Sequence, residues 1–312
     1  MNLGSILNNL PIIEIQGDGE AEVSAVCYDS RKCVPGALFV AIPGRVHDGH
    51  DYIGEAVRRG ALVVLHEKEI VLHKDVIAVR VNECRRALSH VAKNFYQNPS
   101  RELVVAGVTG TNGKTTVTYL LESVFHAAGY KTGVIGTINS HYGNLIIPSL
   151  NTTPESLELQ HMLRTMADVR VSHVAMEVSS HAIDLSRVAD IDFRARIFTN
   201  LSFEHLDYHG TIENYYSVKK KFFLDRPPGQ TAIINYDNPW GRRLASEIGE
   251  PFMSYGVSEP CMIRASGIEL TLQGLKARVE TPRGILSITS SLAGTFNLSN
   301  ILAAVATAFD LG

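Results

Sequence analysis

The sequence predicts an α/β protein in two parts. A small N-terminal α/β unit over residues 1–98 precedes a three-layer α/β/α domain over 99–312, which is built on a phosphate-binding loop and carries a small appended antiparallel β patch. Three observations predict this. Apolar β-branched runs alternate with amphipathic segments, the pattern of a largely parallel sheet between helices. One run, beginning at Leu103, passes through a glycine turn into Lys114-Thr115-Thr116 at the head of a helix. The turn-rich Asn98-Pro99-Ser100 separates two such series.

In the first part, strands are expected at residues 23–27, 37–42, 61–66 and 76–81, and helices at 51–59 and 84–96. In the second, the order is strand 103–108, helix 114–128, strand 132–137, helix 155–167, strands 173–178 and 195–199, helix 212–224 and strand 231–235. Helix 114–128 carries Val117, Leu120, Leu121, Val124 and Phe125 in one stripe. Residues 251–293 change to short β-like pieces at 268–272, 275–280 and 285–289 separated by glycine turns, and a helix at 298–309 follows.

A chain of 312 residues, 45% of them hydrophobic, can bury large cores. Its net charge of −3 argues against nucleic acid or an anionic membrane as a partner, but local clusters can still bind small anions. Four scattered cysteines with no C-x-x-C pair read as reduced thiols rather than a zinc site. There is no signal-peptide pattern and no apolar run of membrane-spanning length. A cytoplasmic monomer without membrane insertion is expected.

Chemistry starts at the glycine turn. Backbone N–H groups of such a turn wrap phosphate oxygens at a helix N-terminus. Gly110, Thr111, Asn112, Gly113, Lys114, Thr115 and Thr116 form the candidate nucleotide loop. Lys114 would reach the terminal phosphates and Thr115 would place a hydroxyl on Mg²⁺. The usual spacing wants glycine where Val108 stands, with Gly107 and Gly110 on either side, so the loop is a variant.

Four further segments carry polar residues. Glu177-Val178-Ser179-Ser180-His181 follows an apolar strand, and ligands of open α/β sheets sit beyond such strand ends. Glu177 there can hold Mg²⁺ or belong to a helix cap, and the neighbouring phosphate loop favours the metal. The loop from Thr199 to Gly210 holds Glu204, His205, Asp207 and His209, which suit either a metal site or a polar loop over core histidines. Lys219 shares a helix face with Tyr215, Phe222 and Phe223, unlike Lys220 and Lys221. It either snorkels or functions. An ammonium cannot ligate Mg²⁺, whereas a lysine carbamylated by CO₂ can. In Asn151-Thr152-Thr153-Pro154, a threonine caps the following helix or the free amides receive an anionic substrate.

Together these segments resemble the Mur ligase family, and within it the ligases that add the third peptide residue during peptidoglycan synthesis. The family loop, G-x-T-G-T-N-G-K-T-T, is matched throughout residues 107–116 and accounts for the displaced glycine. Tyr28-Asp29-Ser30-Arg31, followed by Pro35-Gly36-Ala37-Leu38-Phe39, is similar to the family's uridine-nucleotide-binding domain. The NTTP, EVSSH and HLDYHG segments complete the resemblance, which covers essentially the whole chain.

It implies an ATP-dependent amide ligase adding meso-diaminopimelate or L-lysine to UDP-N-acetylmuramoyl-L-alanyl-D-glutamate through an acyl phosphate. Carried over by position, Lys114, Lys219, His205 and Glu177 are catalytic. Two Mg²⁺ ions are held by Thr115, Glu177, His205 and Lys219 as its CO₂-derived carbamate. Asn297 and Asn300 lie near ATP. Ser30 contacts the nucleotide end of the UDP-sugar, and Asn151, Thr152, Thr153, Ser179 and Arg187 hold the muramoyl dipeptide. Leu185 and Glu204 depart from the residues usual in the family. The resemblance also implies a C-terminal amino-acid-binding domain, expected to be absent here, so the chain is expected to be incomplete for catalysis. A non-catalytic module binding UDP-muramoyl-dipeptide and ATP is the alternative. A P-loop kinase or ATPase leaves Ser30 and Lys219 without roles.

Overall fold

Runs of β-branched and aliphatic residues form the strands, and segments with apolar residues three and four apart form the helices. The computed structural model describes residues 1–44, 46–70, 73–227 and 230–312. They fall into two compact units. One comprises Met1–Pro99, Glu155–Thr165 and Leu185–Ile191, and the other Ser100–Pro154, Met166–Asp184 and Asp192–Gly312.

The first unit contains α1 (Leu3–Leu7), β1 (Ile12–Gln16), β2 (Ala25–Cys27), β3 (Ala37–Val40), α2 (Ile53–Arg58), β4 (Ala61–His66), β5 (Ile77–Val81) and α3 (Cys84–Phe95). The sheet order is β1-β5-β4-β3-β2, parallel except for β1 against β5. Both faces of the parallel strands are buried. Leu38, Val63 and Val79 pack with Leu88 and Val91 of α3, whereas Phe39 and Val64 pack with Ile53 and Ala56 of α2. The predicted helix 51–59 is a 3₁₀ turn, Gly49–Tyr52, running into α2, and the Asp48 carboxylate caps the turn by accepting from His50 N. Neither α1 nor β1 is anticipated from sequence. The helix has only five residues, and all five of β1 are exposed, so neither leaves a clear periodic signal.

The second unit runs β6 (Val104–Thr109), α4 (Lys114–Ala127), β7 (Thr132–Ile135), β8 (Asn139–Tyr142), β9 (Leu145–Pro148), α5 (Ser156–Asp168, begun in the first unit), β10 (His173–Glu177), α6 (Ser180–Asp184) and β11 (Phe193–Phe198). It continues with α7 (Leu206–His209), α8 (Ile212–Leu224), β12 (Ala232–Asn235), α9 (Pro239–Ile248), β13 (Phe252–Gly256), β14 (Ile263–Thr271), β15 (Gly274–Thr281), β16 (Gly284–Ser290) and α10 (Thr295–Leu311).

Its sheet order is β16-β15-β14-β13-β12-β11-β6-β10-β7-β8-β9. Strands β13 to β7 in that order are parallel, and β8–β9 and β14–β16 are antiparallel extensions. Ala106, Val108, Ala195 and Ile197 bury one face against Val117 and Leu121 of α4 and Leu302 of α10. Gly107 points to the other face, where a Cβ would press into the rings of Phe193 and Phe222, so α8 covers that side.

Two local expectations change. Val124 is exposed, and Thr118 takes the inward position, donating its hydroxyl to Thr115 O at 2.8 Å. The first strand of the β patch, β14, starts at Ile263, ahead of the expected 268–272, and joins the parallel sheet by pairing parallel with β13 before the antiparallel β14–β16 run. Among the described residues no helix is long and apolar enough to cross a membrane.

Candidate functional site

The carboxyl ends of β6, β7, β10, β11 and β12 gather the polar residues of the second unit, as expected for an open α/β sheet. After β6 the chain turns at Gly110 (φ +151°) and Gly113 (φ +89°) into α4. A side chain at Gly110 would collide with the Thr199 hydroxyl, and one at Gly113 with the Asn300 carboxamide. The loop is pinned from the β11 side. Asn200 accepts from Asn112 N through Oδ1 at 2.9 Å and from Thr111 N through its carbonyl at 2.9 Å. The Thr199 hydroxyl donates to Asn112 O at 2.6 Å, and Thr111 Oγ1 accepts from Ser202 N at 3.0 Å. Lys114 folds over the turn, donating to Gly110 O at 3.1 Å and Thr111 O at 2.8 Å. Burial holds its pKa below that of an ordinary lysine. Thr116 is half-buried on the first turn of α4.

Glu177 ends β10 and is only 1% exposed. Its carboxylate accepts from Thr115 Oγ1 at 2.9 Å, Thr137 N at 2.8 Å and Thr137 Oγ1 at 3.0 Å. The Thr137 hydroxyl also lies 3.1 Å from that of Thr152. Thr153, fully buried, donates to Glu177 O at 2.9 Å and accepts from Ser179 N at 3.1 Å. Asn151 is exposed beside them in sequence.

On the other side of the loop, Lys219 is 1% exposed on α8. Its Nζ donates to Gly110 O at 3.0 Å and Thr109 Oγ1 at 3.3 Å, and sits 4.7 Å from the centre of the Tyr215 ring. Burial, reinforced by the charge on Lys114, pushes its pKa well below the usual ammonium range. The Tyr215 ring is also 6.1 Å from that of His205, which is exposed and sits at φ +57° before α7. His209 is the buried histidine of the pair. It stacks on Tyr215 and shares a 2.9 Å hydrogen bond with the Ser180 hydroxyl, and burial lowers its pKa.

Asn300, on α10, lies against Gly113, and its amide nitrogen donates to Asn297 Oδ1 at 3.3 Å. Both belong to the first turns of the helix beside a cleft of about 900 Å³, lined by Asn112, Asn235, Asp237, Phe296 and Leu298 among others.

In the first unit, Ser30 lines a separate cavity of about 530 Å³ with Tyr28, Arg31, His47 and Glu55. Arg187 Nε lies 3.4 Å from Glu155 Oε2, which Arg85 also approaches at 3.4 Å.

The fold therefore joins Thr115 to Glu177, and Thr153 to Ser179 and the Glu177 backbone. It sets Lys219 under the loop and Asn300 against Gly113. His205 meets Tyr215 and His181. Among the described residues no three His, Cys, Asp or Glu side chains converge on one point. The oxygen donors of Thr115 and Glu177 are of the hard type that Mg²⁺ accepts.

A sequence model described as the Mur ligase middle domain matches residues 108–308, and one described as the Mur ligase family, catalytic domain, matches residues 22–101. The chain belongs to the Mur ligase family. Curated relatives within it carry the name UDP-N-acetylmuramoyl-L-alanyl-D-glutamate–2,6-diaminopimelate ligase. That of Geobacter metallireducens is 42% identical over 305 residues, covering 96% of this chain and 60% of the relative. That of Geobacillus thermodenitrificans is 39% identical over 318 residues, covering 100% and 65%. This Mur ligase chain thus spans 60% to 65% of the length of these two relatives.

Among solved structures, one of a ligase with the same name superposes with a TM-score of 0.86 at 23% identity, covering all of this chain and 64% of the other. MurF ligase from Thermotoga maritima, in complex with ADP, gives 0.63 at 21%, covering 92% and 63%. At such identities the likeness concerns the fold, which is that of Mur ligases.

Sequence reasoning missed Thr137, Thr199, Asn200 and Asn235 as members of the polar cluster around the glycine turn. Each stands at or just past the carboxyl end of a parallel strand, and that position was the available signal. Asn235 donates to Thr199 O at 2.7 Å and Ser299 Oγ at 3.1 Å, joining β12, β11 and α10.

Proposed function

We propose that the protein is an ATP-dependent amide ligase that extends UDP-N-acetylmuramoyl-L-alanyl-D-glutamate by one diamino acid. The names of its relatives favour 2,6-diaminopimelate over lysine. The observation that carries the reading is the pair of buried ionisable side chains flanking the phosphate loop, Glu177 on one side and Lys219 on the other.

The amides of residues 110–116 bind the ATP phosphates, with Asn297 and Asn300 beside the nucleotide. Lys114 exchanges its loop carbonyls for phosphate oxygens. Thr115 and Glu177 would hold one Mg²⁺, and His205 with a carbamate on Lys219 a second. Those ions supply neutralisation of charge on the transferred phosphoryl group. Burial of Lys219 supports the carbamate, because only an unprotonated amine attacks CO₂. Ser30 serves the uridine end of the substrate, and Asn151, Thr152, Thr153, Ser179 and Arg187 its muramoyl dipeptide. The D-glutamate γ-carboxylate attacks the γ-phosphate of ATP, releasing ADP. The incoming amine then displaces phosphate from the acyl phosphate. Activation is required because a free carboxylate is a poor acyl donor.

The test is hydroxylamine trapping. Turnover by the chain itself would show as a hydroxamate when it is given ATP, Mg²⁺ and the UDP-muramoyl-dipeptide, and as the tripeptide when diaminopimelate is added. Phosphate release that ignores the muramoyl substrate would mark a simple ATPase instead. The chain's span relative to its relatives supports a second reading, in which this chain alone binds both substrates without turnover. Binding of both with no hydroxamate is its signature.

A further inference from the structure

The cavity of the first unit contains a hydroxyl whose proton already has a destination. Ser30 is only 5% exposed, and its Oγ donates to Glu55 Oε2 at 2.9 Å. The other carboxylate oxygen accepts from Arg59 Nε at 3.0 Å, which fixes the carboxylate. The Ser30 hydrogen bond and Arg59 together hold the Glu55 carboxyl below the usual range, so it is ionised at neutral pH. An ionised carboxylate only accepts, and a serine hydroxyl has one proton to give and two lone pairs to receive with. Charge-assisted bonds of this kind are the stronger ones. Ser30 therefore faces its cavity as an acceptor.

We propose that Glu55 is a positioning residue that makes Ser30 an obligate acceptor, so that the cavity selects a nucleoside presenting an N–H or O–H donor to it. The inference rests on the uridine-nucleotide reading of this cavity given above. Two groups of uridine diphosphate supply such a donor, the base N3–H and a ribose hydroxyl. Where the base is the donor, cytosine brings a bare N3 acceptor to the same place, meets the Ser30 lone pairs and is rejected; where a ribose hydroxyl is the donor, cytidine binds equally well.

Calorimetric titration of this chain with UDP, CDP and 2′- and 3′-deoxy-UDP tests it. Wild type should prefer UDP by roughly tenfold or more over CDP if the base is the donor, or over one deoxy analogue if the ribose is. In Glu55→Gln the amide can rotate to donate to Ser30, freeing the serine proton, and that preference should collapse to about twofold. Ser30→Ala should weaken UDP and erase the same preference, which keeps the test alive should the glutamine variant fold poorly. Arg59→Gln retains the carboxylate and should retain the preference. UDP binding with all preferences unchanged in both Glu55→Gln and Ser30→Ala overturns the inference alone. No UDP binding by the wild type removes the underlying nucleotide reading.

Discussion

Thr153→Val replaces a buried hydroxyl with a methyl of the same shape and isolates what that hydroxyl does. Thr153 is fully buried, donates to Glu177 O at 2.9 Å and accepts from Ser179 N at 3.1 Å. Each hydrogen bond contributes about 1 kcal/mol net, and stranding a buried amide costs about 1–3 kcal/mol. The Ser179 amide loses the partner named here, while the Glu177 carbonyl keeps a second lone pair. The expected loss is therefore about 2–4 kcal/mol. For a unit of this size that lowers Tm by roughly 5–15 °C. Thr153→Ser keeps both bonds and loses one buried methyl, a cost of about 1 kcal/mol. The assay is urea unfolding read by fluorescence of the single tryptophan, Trp240, which sits on α9 of the second unit. The reasoning fails if serine destabilises as much as valine, or if valine lies within about 0.5 kcal/mol of wild type.

Three other expectations follow from the same geometry. Lys114→Ala should abolish ATP-dependent hydroxamate formation, and wild-type turnover in that variant would sink the ligase assignment. Lys219→Met should also stop turnover while flattening the pH profile of stability. The folded amine titrates well below its ordinary value of 10.5, so between those two values the unfolded chain binds the extra proton and wild-type stability rises with pH. Parallel urea-midpoint profiles from pH 6 to 9 for the two proteins would refute this. Gly113→Ala should weaken ADP binding more than tenfold, because a side chain there meets Asn300 and the φ of +89° is strained for alanine. Adding Asn300→Ala relieves the contact but not the φ, so calorimetry should find only partial recovery, and full recovery would contradict the backbone argument.

Where local pattern and tertiary environment agree, the sequence is legible. Helix 212–224 and strand 61–66 fall at their expected bounds, the helix opened by Thr211 accepting from Asn214 N. The inward place of Lys219 follows from its spacing to Tyr215 and Phe222. Hairpin β8–β9 is hidden because β9 is largely exposed and has no alternation to read. Helix α9 carries a signal that went unread, since Asn238 caps it by accepting from Trp240 N and Pro239 occupies its first turn. Val124 misleads because the stripe on α4 is narrower than its apolar residues suggest. Thr137 escapes notice for a different reason. A threonine at a strand end is unremarkable until the fold brings Glu177 within reach of its amide and hydroxyl.

The phosphate loop is short in sequence, yet almost nothing that shapes it is local. Thr115 meets Glu177 across 62 residues, Asn112 meets Asn200 across 88, Thr111 meets Ser202 across 91, and Lys219 reaches Gly110 across 109. Closing such long loops is entropically slow, and folding rates fall as contacting residues grow more distant along the chain. A nascent chain that has only reached α4 owns every residue of the motif but few of the partners that hold it. On the proposed nucleotide reading, a loop able to grip a phosphate needs β10, β11 and α8 in place, so nucleotide binding would report on the completed sheet rather than on the loop.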